Sequence, residues 1–326
     1  MAGVLLIADA SGEQLPPTMS ELVAEGKRVA SQLGAGAPVV ALVGKNVQAL
    51  ATNLGQLGVE RVLVADSQTP GPASPEWLLT AAEQAAQQAQ PDVVLLTHSA
   101  VGRELAAGLA YRLNTGIVTD CTALRVDGGE LVITKPVFGG SAIAEFTISS
   151  APKMATLRPR AFEADESPTA TQAQVEPVNV PSPAANVELL EEIREQAASG
   201  PRLKDAKIIV SGGRGLGGPE NWKFVEELAQ VLGAAIGATR AVTDAGWVSP
   251  SLQVGLTGST VAPDLYITVG ISGAVQHIAG ISGARNVVAI NRDGDANIFK
   301  YARYGIVGDW KQVLPAFTQR LKELRG

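Results

Sequence analysis

Cysteine, histidine and aromatic residues are all scarce in this chain, and each shortage removes a class of chemistry. The single cysteine, Cys121, excludes an internal disulfide framework and any CxxC or four-cysteine metal site. Two histidines, His98 and His277, are too few for a histidine-rich metal centre. Nothing reads as a nucleophile elbow, a Walker motif or a pair of catalytic carboxylates. No apolar run is long enough to span a bilayer, so no transmembrane segment is expected. The opening Gly3-Val-Leu-Leu-Ile-Ala8 is too short for a signal h-region and lacks a basic flank. It reads as a first strand, and a cytoplasmic location is expected. Basic residues number 26 against 32 acidic ones, a net charge of −6 that argues against a nucleic-acid partner.

Ala, Val and Gly are abundant instead. The chain is 46% hydrophobic but only 4% aromatic, which suits buried parallel strands covered by close-packed helices. Its 326 residues exceed the size at which one core usually stops growing, so two domains are expected. Strand-like runs at Val4–Ala8, Val39–Val43, Arg61–Ala65 and Val93–Thr97 alternate with amphipathic stretches at Ser20–Leu33, Val47–Leu57, Pro75–Ala89 and Gly102–Leu113. That βαβ rhythm predicts an N-terminal doubly wound parallel sheet. From Gly116 the rhythm changes. Thr122–Val126, Leu131–Lys135, Ala142–Ile148 and Lys153–Leu157 look like short strands joined by glycine turns, a small antiparallel appendage.

Residues Glu163–Ala185 read as a solvated linker, with the alternating Val175–Val180 as an extended arm on another surface. The domain boundary is expected at Gly200-Pro201, giving domains 1–200 and 201–326. Beyond it, Ile208–Ser211, Ala235–Thr239, Leu265–Val269, Val287–Ile290 and Gly305–Val307 supply the strands of a smaller C-terminal doubly wound domain, closed by a helix over Trp310–Leu324.

Two glycine-rich loops stand out there. Ser211-Gly-Gly-Arg-Gly-Leu-Gly-Gly218 and Gly270-Ile-Ser-Gly-Ala-Val-Gln-His-Ile-Ala-Gly280 each follow an apolar strand and open a helix. That arrangement offers backbone N–H groups to a phosphate. The first contains a GxGxxG, but the second strand ends in Thr239-Arg240 where an NAD site wants an acid. His277 lies one turn into the second helix. The helix dipole there should keep its ring neutral, a donor for a cofactor edge. The reading of Arg240 as a site residue rests on its place at a strand's carboxyl end, and His98 is read as structural.

Together these stretches resemble the alpha subunit of electron transfer flavoprotein. Ser211–Leu216, Gly237–Gly246, Gln253–Gly258, Val261–Tyr266, Gly270–Gly280, Val288–Arg292 and Tyr304–Asp309 stand in that family's order and near its spacing. Thr156-Leu-Arg-Pro159 looks like the family's end-of-domain signature. The resemblance implies an FAD-binding C-terminal domain and an N-terminal domain packed on a beta subunit. It implies an electron carrier, not an enzyme, running from dehydrogenases to an acceptor such as a quinone oxidoreductase. By position it implies that Arg214, Thr239, Arg240, Gln253, Val254, Gly255, Leu256 and Thr257 line the FAD. Ser272, Gly273, Ala274, Val275, Gln276, His277, Asn291, Asp309 and Trp310 complete that set. Arg240 would lie over the ring, the Thr257 hydroxyl near N5 and His277 near the C2 carbonyl. Leu256 and Ser259 replace a usual Gln and Lys, and Arg303 a frequent acid. Two further readings remain open: an NAD(P)-dependent oxidoreductase using Gly213–Gly218, and a nucleotide-binding regulatory module.

Overall fold

The computed structural model describes residues 3–11, 15–68, 73–181, 190 and 201–325. The chain divides into two compact units, Met1–Val137 with Ala142–Ile193, and Phe138–Ser141 with Arg194–Gly326. The junction expected at Gly200-Pro201 abuts 191–200, which lies outside the described residues.

The first unit opens with β1 (Val4–Ser11), α1 (Met19–Gln32), β2 (Val39–Lys45), α2 (Gln48–Ala51) and β3 (Arg61–Asp66). It continues with α3 (Pro75–Ala89), β4 (Val93–Thr97), α4 (Ala100–Arg112) and β5 (Ile117–Cys121). Next come β6 (Ala123–Asp127), β7 (Glu130–Val137) and β8 (Ala142–Phe146), then β9 (Lys153–Leu157) and β10 (Gln174–Pro177). Seven of these strands form one parallel sheet in the order β10-β3-β2-β1-β4-β9-β5. Both faces are covered. Leu6, Val40, Leu42 and Leu95 pack against α1, while Leu5, Ala41, Leu63 and Leu96 pack against the alanine-rich faces of α3 and α4. Small Ala81, Ala85, Ala106 and Ala110 let those helices lie close, so few aromatics are needed.

Three expectations need correction. The antiparallel appendage is β6-β7-β8 alone, turned at Gly128 (φ 57°) and Gly129 (φ 85°), both of which require positive φ. Lys153–Leu157 belongs instead to the large sheet, where it separates β4 from β5, a strand the sequence reading missed. The arm around Val175 lies on its own domain: β10 adds to β3 at the sheet's edge, locked by a two-pronged Arg61–Glu176 pair (2.9 Å for each prong). The helix expected over Val47–Leu57 is also broken, passing into a 3-10 turn at Thr52.

The second unit contains β11 (Ile208–Gly212), α5 (Trp222–Leu232), β12 (Ala235–Ala238), α6 (Arg240–Thr243) and β13 (Leu265–Val269). It closes with α7 (Val275–Ile281), β14 (Val287–Asn291), β15 (Tyr304–Val307) and α8 (Trp310–Arg325). Its five parallel strands run β12-β11-β13-β14-β15. The order reverses between β11 and β13, and in open α/β sheets ligands bind in the crevice at such a reversal. Ile209, Tyr266 and Ala289 face α7; Val210, Ile267 and Ile290 face α5 and α8.

Candidate functional site

A cavity of about 710 Å³ opens at the carboxyl ends of the second unit's strands. That volume lies within the range of ligand pockets. Four of the five strands contribute at their carboxyl ends: Gly213–Gly215 after β11, Thr239 and Arg240 after β12, Gly270–Ser272 after β13, and Asn291–Asp293 at the end of β14 and just beyond it. The Gln253–Thr257 loop forms a further wall.

The two glycine loops differ in what they offer. In the first, Gly213 N–H donates to the Val269 carbonyl (2.9 Å) and Gly215 N–H to the Gly270 carbonyl (3.0 Å). A Cβ at Gly213 would fall 2.3 Å from that Gly270 oxygen. Its glycines therefore serve loop-to-loop contact, and its donors are largely spent. In the second, the carbonyls of Ile271, Ser272 and Gly273 are all held from behind. Asn291 Nδ2 donates to the first (2.9 Å), Ile298 N–H to the second (3.1 Å) and Asn297 Nδ2 to the third (2.7 Å). In a trans peptide the next N–H points opposite the carbonyl, so the N–H groups of Ser272, Gly273 and Ala274 face away from that support. Among the described residues, no acceptor occupies the N–H groups of Ser272 through Gln276. A row of free donors is what an anion requires.

The Gln253 side chain bridges two walls. Its Oε1 accepts from Thr243 Oγ1 (2.9 Å) and its Nε2 donates to Thr257 Oγ1 (2.9 Å). Thr257 thus accepts from protein and keeps its own O–H for a ligand. Arg240 is two-thirds exposed and pairs with Asp244 (3.1 Å). Three arginines, Arg214, Arg240 and Arg292, line the cavity beside Asp244 and Asp293.

His277 forms part of the cavity's buried floor. Nδ1 meets the Val254 carbonyl at 3.0 Å and Nε2 meets the Tyr266 hydroxyl at 3.3 Å. Burial pushes its pKa down to about 4, against the opposing pull of the Val254 carbonyl. Neutrality is thus as expected, with burial as its chief cause. His98 lies in the other unit, bonded to Thr156 Oγ1 at 2.8 Å.

Of the residues picked from sequence, Arg214, Thr239, Arg240, Gln253, Val254, Gly255, Leu256, Thr257, Ser272, Ala274, Gln276, His277 and Asn291 line the cavity. Gly273, Val275, Asp309 and Trp310 do not. Gly273 has φ 82° and a Cβ there would strike Ile298 N at 2.3 Å, so it is glycine to let two loops touch. Val275 points outward, more than half exposed. Asp309 starts α8 by accepting from Lys311 N–H (3.0 Å), and buried Trp310 donates from Nε1 to the Gly215 carbonyl (3.1 Å). Sequence reasoning missed Arg292, Asp293 and Ala296 on the wall and Asn297 behind it. Their signal was the polar Asn291–Asn297 turn directly after a buried strand.

Among the described residues no helix is long and apolar enough to cross a membrane, and no cluster of three His, Cys, Asp or Glu is placed for a metal. The model of the electron transfer flavoprotein domain matches residues 4–183, and that of the electron transfer flavoprotein FAD-binding domain matches residues 202–282. The electron transfer flavoprotein subunit alpha of Bacillus subtilis is 38% identical over 322 residues, covering 98% of each chain. That of Thermoanaerobacterium thermosaccharolyticum is 37% identical, covering 99% of this chain and 98% of its own. Protein FixB of Clostridium saccharobutylicum is 38% identical, covering 99% of this chain and 97% of its own. The FAD-binding family model spans the strands and loops that build most of the cavity, and full-length relatives align on both sides of it, so the chain belongs to the electron transfer flavoprotein alpha subunit family.

Proposed function

We propose that this chain holds FAD in the cavity of its second unit and acts as an electron carrier with no substrate chemistry of its own. The observation that carries the reading is the outward-turned N–H row at Ser272–Gln276 beside a wall that offers the Thr257 hydroxyl. When bound, FAD would supply one- and two-electron chemistry that protein side chains lack. The chain's own part is binding and orientation. Ser272–Gln276 takes the pyrophosphate, Arg214 and Arg292 add cations, and Thr257 presents a donor fixed by Gln253. Arg240 offers a partly neutralised positive charge to the ring. The Gly213–Gly218 loop is a poor dinucleotide cradle because its donors are spent internally, which disfavours a nicotinamide cofactor.

A beta-type subunit is the partner this reading requires. The relatives are named as alpha subunits, and β8 of the appendage leaves Ile143 73% and Phe146 39% exposed, on opposite faces of the strand, apolar surface that a permanent partner would cover. Dehydrogenases as donors and a quinone oxidoreductase as acceptor follow from the same family reading.

The test is an absorption spectrum of the chain co-purified with its beta-type partner. Flavin bands and one released FAD per alpha chain are expected. A colourless complex that binds NAD(P)H would refute it.

A further inference from the structure

Thr243 ends α6 with its side chain buried behind the cavity wall. Its hydroxyl lies 3.0 Å from the Arg240 carbonyl and 2.9 Å from Gln253 Oε1. Both are acceptors, and a hydroxyl has a single proton to give. Thr243 can serve only one of them at a time. Gln253 in turn passes a hydrogen bond from Nε2 to Thr257 Oγ1 at 2.9 Å. Its backbone is pinned: Gln253 bridges to Ala238 at the end of β12, and Ser259 N–H donates to its carbonyl at 2.7 Å. The side-chain amide is thus held at both ends, while its oxygen and nitrogen, nearly equal in size, can exchange places by a half-turn.

That exchange gives a second complete pairing. With the amide turned over, Gln253 Nε2 donates to Thr243 Oγ1, the Thr243 proton goes to the Arg240 carbonyl, and the Thr257 O–H donates to Gln253 Oε1. Every member is paired in either sense. In the first sense Thr257 offers a ligand its proton; in the second it offers only lone pairs. Without the Arg240 carbonyl in reach, the second sense would strand a buried proton, at a cost of about 1–3 kcal/mol.

We propose that Thr243 is a positioning residue that makes the Thr243–Gln253–Thr257 relay reversible, so that Thr257 can serve a ligand atom that accepts and, after the amide turns over, the same atom once it donates. The ligand half rests on the FAD reading above, with the Thr257 hydroxyl toward the flavin N5. Full reduction of that ring adds two electrons from the donor protein and a proton at N5 from solvent, which turns N5 from an acceptor into a donor. A relay of fixed sense would then set two donors on Thr257 and leave its own proton unpaired. The reversible one meets both redox states with the loop backbone unmoved.

Infrared difference spectra between the oxidised and dithionite-reduced co-purified complex test this, with glutamine ¹³C-labelled at the side-chain carbonyl. Gln253→Met identifies the band. In the native chain the Gln253 carbonyl should exchange Thr243 for Thr257 as its donor on reduction, so a Gln253 band pair is expected. In Thr243→Val the oxidised-state band should rise to that of an unbonded carbonyl, while the reduced-state band stays in place. Thr243→Ser should restore the native pair. No Gln253 signal on reduction overturns the proposal. So does a band that Thr243→Val raises in both states, the mark of a relay with one sense, or in neither. Should Thr243→Val fail to fold, the native band pair decides by itself. A native complex that never carries flavin refutes the FAD reading instead. The Thr243–Gln253 bond is then still read in the flavin-free chain, where a band unmoved by Thr243→Val overturns the role of Thr243.

Discussion

Gly280→Ala should loosen the cavity through one methyl group on a residue that does not itself line it. Gly280 lies in α7, and a Cβ there would sit 2.4 Å from the Gly255 Cα and 2.5 Å from its nitrogen. Carbon atoms rest at ~3.5–4.0 Å, so helix and loop must part by about 1 Å. Alanine favours the helix by up to ~1 kcal/mol. Overpacking against backbone costs about 1–3 kcal/mol or more, because backbone cannot rotate out of the way. The net sign is destabilising. The movement is directed at the hydrogen bonds that tie α7 to the loop, Leu256 to Gln276 and His277 to Val254. If ~1–3 kcal/mol of binding geometry is lost, FAD affinity falls about 5- to 150-fold. Flavin fluorescence titration of stripped protein measures this, with thermal unfolding of the flavin-free form alongside. Gly294→Ala is the control, since its Cβ would meet only Val307 methyls at 3.5 Å and 3.8 Å. Native FAD affinity and unchanged stability in Gly280→Ala would show that α7 and the loop are not held as described.

Three other outcomes are expected. His277 has a folded pKa near 4, below its ordinary value, so the unfolded chain binds the extra proton and stability falls as pH drops from about 6.5 to 4. The loss totals up to ~3 kcal/mol, and denaturant titrations should show a shallower decline in His277→Gln. Arg240→Ala should lower the flavin potential only modestly. The exposed, Asp244-paired guanidinium is worth at most ~1 kcal/mol at ~4 Å in a water-like dielectric. That corresponds to about 20–40 mV, measured by redox titration; a shift above roughly 100 mV would mean Arg240 is desolvated on binding. Cys121 is buried and its thiol is pushed up to about 12, so it should resist alkylation at pH 8 until the chain is unfolded. Rapid labelling of native protein would contradict its burial.

Much of the architecture was legible because buried parallel strands are written as uninterrupted apolar runs. Val39–Val43 and Val93–Thr97 could be read directly, and so could the helices between them. Strands of mixed polarity were not. Ile117-Val-Thr-Asp-Cys121 lies at a sheet edge, where only two of its five residues are buried. Gln174-Val-Glu-Pro177 carries a charge and a proline, composition proper to a linker and also to an edge strand whose outer N–H groups go unused. Lys153–Leu157 was found as a strand but misplaced, because local pattern does not say which neighbour a strand will join. At the cavity, glycine spacing located both loops, yet only coordinates reveal which loop has spent its N–H groups. Trp310 entered the expected site only through the family resemblance; it is buried instead, and its indole packs with Phe224, ring centres 5.5 Å apart.

The edge strand β10 has a consequence for synthesis. Arg61 on β3 and its partner Glu176 are 115 residues apart, so a growing chain exposes β3's open edge long before its cover exists. At ~5–20 residues per second the interval is roughly 6–23 s, ample time for an uncovered apolar edge to find another nascent chain. β9 arrives late as well, and must enter between β4 and β5 after the appendage has been made. The first domain therefore cannot finish folding while residue 177 is still inside the ribosome tunnel, and factors that shield emerging chains would act on β3 during that interval.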